Sequence, residues 1–290
     1  VSRDTFIDPS IQISQTNVTI ESKEHVEVVM ALLNVNFFSE VLGMWMQMDV
    51  ILPQQRQKQN QNAVDGNNKI PVLYLLHGMS DDHTIWLRNT SIERYVNDLG
   101  IAVIMPTTHL GWYTDMAHGN KYWTFISDEL PKICHAFFNN LSTKREDNFV
   151  AGLSMGGYGA IKMGLDASQS FSAVASLSGA LDVSSICLYN QNTEEKEFWT
   201  NVFGDADKVK GSNNDLLALA TQLKESGKKR PKIFIWCGTE DFLYHQNSTM
   251  KEHLEKLDYE FTYEESPGGH DWACWDIQIQ RVLKWLPIQK

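Results

Sequence analysis

The chain has 290 residues, 42% hydrophobic and 21% charged, and is long enough to bury a large core without disulfides or a structural metal. Its formal net charge of -11 argues against nucleic acid or an anionic membrane as partner, and no apolar run approaches the length needed to span a bilayer. The four cysteines, Cys134, Cys187, Cys237 and Cys274, have no C-x-x-C spacing and read as reduced core thiols of a cytoplasmic protein, although two could pair. Val1 to Pro9 lacks the basic-then-apolar pattern of a signal peptide.

In chain order, residues 1–24 are polar, with Ile11 and Ile13, then Val18 and Ile20, in alternation. They read as an N-terminal arm or an added edge strand. Two β-like runs follow, Glu27–Phe38 and Val41–Leu52, and predict an antiparallel hairpin at one sheet edge. The Gln- and Asn-rich stretch from Gln54 to Lys69 has no apolar period and reads as a surface loop.

Beyond Lys69 the rhythm changes. Short apolar runs at Pro71–Leu76, Ile101–Met105, Asn148–Gly152, Ala173–Leu177, Lys232–Trp236 and Phe261–Glu265 predict strands covered on both faces. Helical segments are expected near 91–98, 123–138, 155–167, 213–226, 245–257 and 272–286. Alternating strands and helices predict the α/β class: a mostly parallel, doubly wound sheet with an antiparallel N-terminal edge, in one domain over 25–290.

The strongest chemical signal is Gly152-Leu153-Ser154-Met155-Gly156, the pattern G-x-S-x-G, between a strand and a helix. A nucleophile on that sharp turn needs glycine on both sides, because side chains there would clash. The competing reading is a Gly-rich turn with a capping serine, but the strand-to-helix context favours Ser154 as nucleophile. A serine hydroxyl also needs a base oriented by a third group. In the α/β-hydrolase order an acid and then a histidine follow the serine, each after a late strand. Thr239-Glu240-Asp241 follows one such strand, and Gly268-Gly269-His270-Asp271 follows the next. His270 is the expected base; Asp241, Glu240 and Asp271 are the available carboxylates. The oxyanion donors are expected to be the backbone N–H groups of Met155, after the nucleophile, and of Met79, after His77-Gly78. His77 itself reads as a buttress of that loop.

Asp81-Asp82-His83 offers no zinc spacing, so no metal is expected there. Aromatic residues crowd the loops that should ring the cleft. Trp86, Trp112 and Tyr113 are the candidate substrate-pocket residues, whereas Trp123 and Trp275 lie in helical segments and read as core.

The motifs resemble a known family. Pro71 through Ser80, Gly111-Trp112-Tyr113-Thr114-Asp115, Ser142 through Glu146, Ala151 through Gly159, Trp236 through Tyr244 and Gly269-His270-Asp271-Trp272 are similar to the tributyrin esterases of Gram-positive bacteria. These belong to the esterase D group, with S-formylglutathione hydrolases, feruloyl esterases and mycolyl transferases. The resemblance runs from about Val26 to Pro287. It implies an α/β-hydrolase fold and a cytoplasmic serine carboxylesterase that cleaves short-chain acyl esters, or at its wider limit aryl esters, through an acyl-enzyme without a cofactor. It places the acid at Asp241 and keeps Ser154, His270, Met79 and Met155 in the roles above. The implied partner is a small-molecule ester; homo-oligomerisation stays open. An S-formylglutathione hydrolase-like thioesterase is the alternative within enzymes. A binding protein on an inactive hydrolase fold is the alternative outside them, against which the ordered nucleophile, acid and base count. The first 24 residues and the Gln-rich loop at 54–62 are additions to the family pattern.

Overall fold

The computed structural model describes residues 29–54 and 69–288. The predicted arm over 1–24 and most of the Gln-rich loop lie outside them. Eight strands form one sheet: β1 (Val29–Ser39), β2 (Met44–Gln54), β3 (Val72–Leu76), β4 (Ala102–Pro106), β5 (Asn148–Leu153), β6 (Ala173–Leu177), β7 (Lys232–Gly238) and β8 (Phe261–Ser266). Their order is β1-β2-β4-β3-β5-β6-β7-β8. The β1–β2 and β2–β4 pairs are antiparallel and the rest parallel, as the change of rhythm near Lys69 predicts.

The central strands are buried along their whole length, yet their side chains still divide by the pleat. Val72, Tyr74 and Leu76 of β3 join one core layer with Val150, Val174 and Ile235. Leu73 and Leu75 point the other way, with Phe149, Ala151, Ala175, Phe234 and Trp236. Helices close both layers. The long ones sit within a few residues of their expected positions: Met155–Asp166, Leu216–Glu225, Tyr244–Lys256 and Trp272–Trp285. Among the described residues no helix is long and apolar enough to cross a membrane.

Two regions depart from expectation. The hairpin turn is wider than Ser39-Glu40: β2 begins at Met44, and Gly43, at φ +65°, donates its N–H to Ser39 O at 2.8 Å. The stretch between β6 and β7, in which the sequence showed no helix before about 213, contains helices at Val183–Asn190, Lys196–Phe203 and Ala206–Val209. The first of these leaves Leu188 and Tyr189 exposed, so it presents no clean apolar stripe. Its start is set by Asp182, whose carboxylate accepts the Ser185 N–H at 3.1 Å and both neighbouring serine hydroxyls.

Where β5 runs into its helix, the chain packs against backbone. A Cβ on Gly156 would come within 2.6 Å of the carbonyl oxygens of both Leu76 and His77. Gly156→Ala should therefore destabilise the protein by about 1–3 kcal/mol, the range for overpacking. Urea unfolding measures this, and a midpoint equal to wild type would contradict the close approach.

Candidate active site

Parallel strands β5 to β8 end on one edge of the sheet, and the expected residues follow those ends. Ser154 comes directly after β5, at φ 51° and ψ -118°. Its N–H donates to Leu177 O at 3.0 Å, and its carbonyl accepts from Tyr158 and Ala180. Such a conformation is costly for a residue with a side chain, and it lifts Ser154 above the strand ends. Both motif glycines lie where the turn leaves no room: a Cβ on Gly152 would fall 2.3 Å from Gly156 O.

His270 reaches this serine. Its Nε2 lies 3.0 Å from Ser154 Oγ, and its Nδ1 lies 2.8 Å from Asp241 Oδ2. Asp241 is buried, and its other oxygen accepts the Leu243 N–H at 2.8 Å. Burial pushes the Asp241 carboxyl up, but the hydrogen bonds from His270 and Leu243 N–H outweigh it and hold the group below the ordinary aspartate range. Asp241 thus remains a carboxylate wherever His270 can serve as a base.

The neighbouring carboxylates have other partners. Glu240 accepts the Gly268 N–H at 2.7 Å, while its own N–H donates to Gly268 O at 3.1 Å. It ties the histidine loop to the acid loop. The close approach at Gly238, where a Cβ would sit 2.1 Å from Gly268 O, requires the same glycine-lined contact. Asp271 caps the helix Trp272–Trp285 by accepting the Cys274 N–H at 3.0 Å.

Met155 opens the helix after Ser154, so its N–H has no intrahelical acceptor. Gly78 abuts Ser154, a Cβ there lying 3.7 Å from Ser154 Cβ, and Met79 lines the cleft beside it. The loop carrying Met79 is fastened from below. His77 Nε2 accepts the Thr108 N–H at 2.9 Å, which leaves the proton on Nδ1 to donate to Gly78 O at 2.7 Å. Burial lowers the His77 pKa to about 4, so the ring is a neutral brace, as its buttress reading expects. Asp82 and His83 turn to Thr84 and Thr107 instead of converging on a common point.

The cleft above Ser154 has a volume of about 1470 Å³. Of the three aromatic residues expected in it, only Trp112 lines it. Trp86 is buried in the core on the other side of the sheet, donating its indole N–H to Leu76 O at 3.0 Å with its ring edge-on to Trp272. Tyr113 is also fully buried, its hydroxyl donating to His77 O at 2.9 Å. Both are corrections: loop position put them at the rim, but each indole or phenol had a backbone carbonyl to satisfy inside. Trp275, expected as core, is buried and also lines the cleft, edge-on to the His270 ring at 4.9 Å.

Sequence reasoning missed Phe242, Ile186, Tyr189 and Trp199, which complete the apolar wall. Phe242 is 74% exposed with its ring 4.5 Å from His270, and its only signal was adjacency to the acid. Ile186 and Tyr189 sit on the helix without a regular stripe, whereas Trp199 sits on Lys196–Phe203, where Trp199, Val202 and Phe203 at i, i+3 and i+4 were a helical signal left unread. Among the described residues the charged lining comprises Asp81, Glu194, Glu195 and Asp271, with no lysine or arginine.

A mostly parallel sheet with a serine on a strand-to-helix elbow, and a histidine and carboxylate after the last strands, defines an α/β-hydrolase. Residues 39–286 match the Esterase family model, and the chain belongs to that family. It is 33% identical over 263 residues to an acetyl esterase of Caldicellulosiruptor saccharolyticus, an alignment covering 89% of this chain and 98% of that protein. It is similar in structure to the fluorophosphonate-binding serine hydrolase F of Staphylococcus aureus, with TM-score 0.81, 35% identity, and 90% of this chain and 99% of that one covered. An S-formylglutathione hydrolase of Staphylococcus aureus gives TM-score 0.78 and 36% identity, over 89% and 99% of the two chains. The protein is a serine esterase.

Because Asp241, and not Glu240, is hydrogen-bonded to the imidazole, Asp241→Asn should lower kcat by about a thousandfold or more, whereas Glu240→Gln, which keeps an acceptor for Gly268, should cost less than about tenfold. Steady-state kinetics on p-nitrophenyl acetate would decide, and equal losses would move the acid role to Glu240.

Proposed function

We propose that Ser154, His270 and Asp241 act as nucleophile, base and acid of a carboxylesterase for short-chain acyl esters. The observation that carries this reading is the unbroken chain of contacts, Ser154 Oγ to His270 at 3.0 Å and His270 to Asp241 at 2.8 Å. Ser154 attacks the ester carbonyl as His270 takes its proton, and the N–H groups of Met155 and Met79 receive the oxyanion. His270 then protonates the departing alcohol, and water repeats the sequence on the acyl-enzyme. The short acyl preference rests on the likeness to an acetyl esterase over nearly its whole length. The large cleft leaves room for a bulkier alcohol, and its aromatic wall suits an aryl one.

The 36% identical S-formylglutathione hydrolase keeps a thioesterase reading in view. The cleft lining argues the other way, because glutathione carries net negative charge and would meet four carboxylates with no basic residue among the described lining to offset them. We further propose that the arm and Gln-rich loop are appendages to one catalytic domain. The four free cysteines, three of them buried, favour a reducing compartment such as the cytoplasm.

Ser154→Ala should lower kcat by about a thousandfold or more while leaving the protein folded. On wild type, a series of p-nitrophenyl esters should peak between acetate and butyrate and fall at least about tenfold by octanoate, once the acyl pocket is filled. S-formylglutathione, measured alongside, should be the poorer substrate at low salt and gain on the neutral esters as salt screens the acidic lining. A thioester rate far above every oxygen ester would make thioester hydrolysis the better reading, and an optimum at octanoate would end the short-chain one.

A further inference from the structure

Lys162, on the helix Met155–Asp166 that begins after Ser154, is 1% exposed and takes no part in the chemistry proposed above. Among the described residues no carboxylate is hydrogen-bonded to it. Its Nζ donates instead to Thr114 Oγ1 at 3.0 Å and to Asn214 Oδ1 at 2.7 Å. It also lies over the rings of Trp123, at 4.8 Å, and Tyr158, at 5.7 Å. Burying an amine that carries charge is costly, and an apolar side chain of similar length would fill the space without that cost. What the lysine adds is its two hydrogen bonds.

The two acceptors belong to separate loops and are joined to each other. Thr114 Oγ1 donates to Asn214 Oδ1 at 2.5 Å, so Thr114 accepts from the lysine and passes its own proton on, while Asn214 accepts from both. The Asn214 carbonyl also accepts the Tyr158 hydroxyl at 3.1 Å. Tyr158 and Lys162 stand four residues apart on one helix face. Gly159, on the same face, lets the Tyr113 ring pack down, since a Cβ there would lie 2.5 Å from it. The helix that begins after Ser154 thus grips Tyr113, Thr114 and Asn214 along one side.

The turn so gripped carries part of the cleft. Thr114 closes it, donating its N–H to Gly111 O at 3.1 Å. Between them Trp112 and Tyr113 are both left-handed, at φ 49° and 47°, a pairing that residues with side chains keep only when their surroundings fix it. Trp112 lines the cleft and packs on Trp199 at 4.9 Å. We infer that Lys162 is a positioning residue for substrate: by tying Thr114 and Asn214 to the helix after Ser154, it fixes the Trp112 wall of the cleft relative to the serine. This rests on the reading of Ser154 as nucleophile and of the cleft above it as the substrate site.

Burial lowers the Lys162 pKa to about 7, against Asp166 and Asp115, which raise it. Neutral or charged, the amine keeps the two N–H groups that its bonds use, so it acts as a donor and not through its charge. Without those donors Thr114 and Asn214 keep each other but lose the helix, and the turn relaxes from its left-handed pair. Trp112 then leaves its place in the wall. A wall contact is made in the ground state as well as in the transition state, so its loss raises KM and leaves kcat nearly intact.

The test is a double-mutant cycle on p-nitrophenyl butyrate, with rates expressed per active site counted by fluorophosphonate labelling. Lys162→Met should raise KM about fivefold or more with kcat within about threefold of wild type. In a Trp112→Ala background the same substitution should change KM by less than about twofold, because the wall it positions is gone. Thr114→Val, which keeps the side chain's shape and removes the hydroxyl, should raise KM in the same direction, and Thr114→Ser should bring it back to within about twofold of wild type. That arm carries the test should Lys162→Met not fold. A residue that only stabilised the fold would lower the melting temperature and leave KM per active site where it was. An unmoved KM in Lys162→Met or in Thr114→Val, or the full rise persisting with Trp112→Ala, would overturn the assignment. Absence of label on Ser154 would refute the reading of the site itself, an outcome separate from an unmoved KM.

Discussion

Ser154 stands at φ 51°, on a backbone turn that costs of order 1–3 kcal/mol for a residue carrying a side chain, and the rest of the site is arranged around keeping it there. The turn survives because it is over-determined. The Ser154 N–H is held by β6, its carbonyl accepts two N–H groups, and the glycines before and after it let the helix return across the strand in near contact. The bonds are short-range, but their registry depends on β3, β5 and β6 ending at matched heights, with Leu153 opposite Leu177 and Leu76 opposite Gly152. A shift in any of these pairings would move the hydroxyl away from the imidazole by more than a hydrogen bond tolerates.

The histidine is held by different means. No strand or helix carries it; it lies in a loop laced to the Asp241 loop through Glu240 and Gly268 and walled by Phe242 and Trp275. Two carboxylates adjacent in sequence thus divide the work by environment. The buried one meets the imidazole, and the exposed one fastens the backbone. Below the Gly78-Met79 loop, His77 and Tyr113 perform the matching service, each satisfying a polar atom while bracing the backbone beside Ser154. The chemistry is rigid on the sheet side. On the opposite side it faces a wide acidic and aromatic cleft roofed by the helices between β6 and β7.

How much of this was legible in the sequence follows from where each feature's physics is local. The strands were readable because burial on both faces leaves uninterrupted apolar runs, and Ser154 because the elbow demands glycine at fixed offsets. His270 was found by chain order, but Asp241 and Glu240 could not be separated from the residues alone, since burial decides between them. Trp86 and Tyr113 were misplaced at the rim because loop position does not reveal which backbone carbonyl waits inside. Val183–Asn190 was missed because it serves the cleft with Ile186 and Tyr189 instead of burying a regular stripe, while Lys196–Phe203 did carry a stripe, Trp199, Val202 and Phe203, too short to stand out beside its polar flanks.

The central claim is that Ser154 is the nucleophile and forms a covalent acyl-enzyme. Covalent trapping tests it most directly: wild-type protein is treated with a fluorophosphonate, and intact mass and peptide mapping locate the adduct. The expected result is one adduct per chain, on the peptide containing Ser154, with esterase activity lost in step with labelling and no adduct on Ser154→Ala. An adduct on another residue, or full turnover by protein labelled at Ser154, would contradict it.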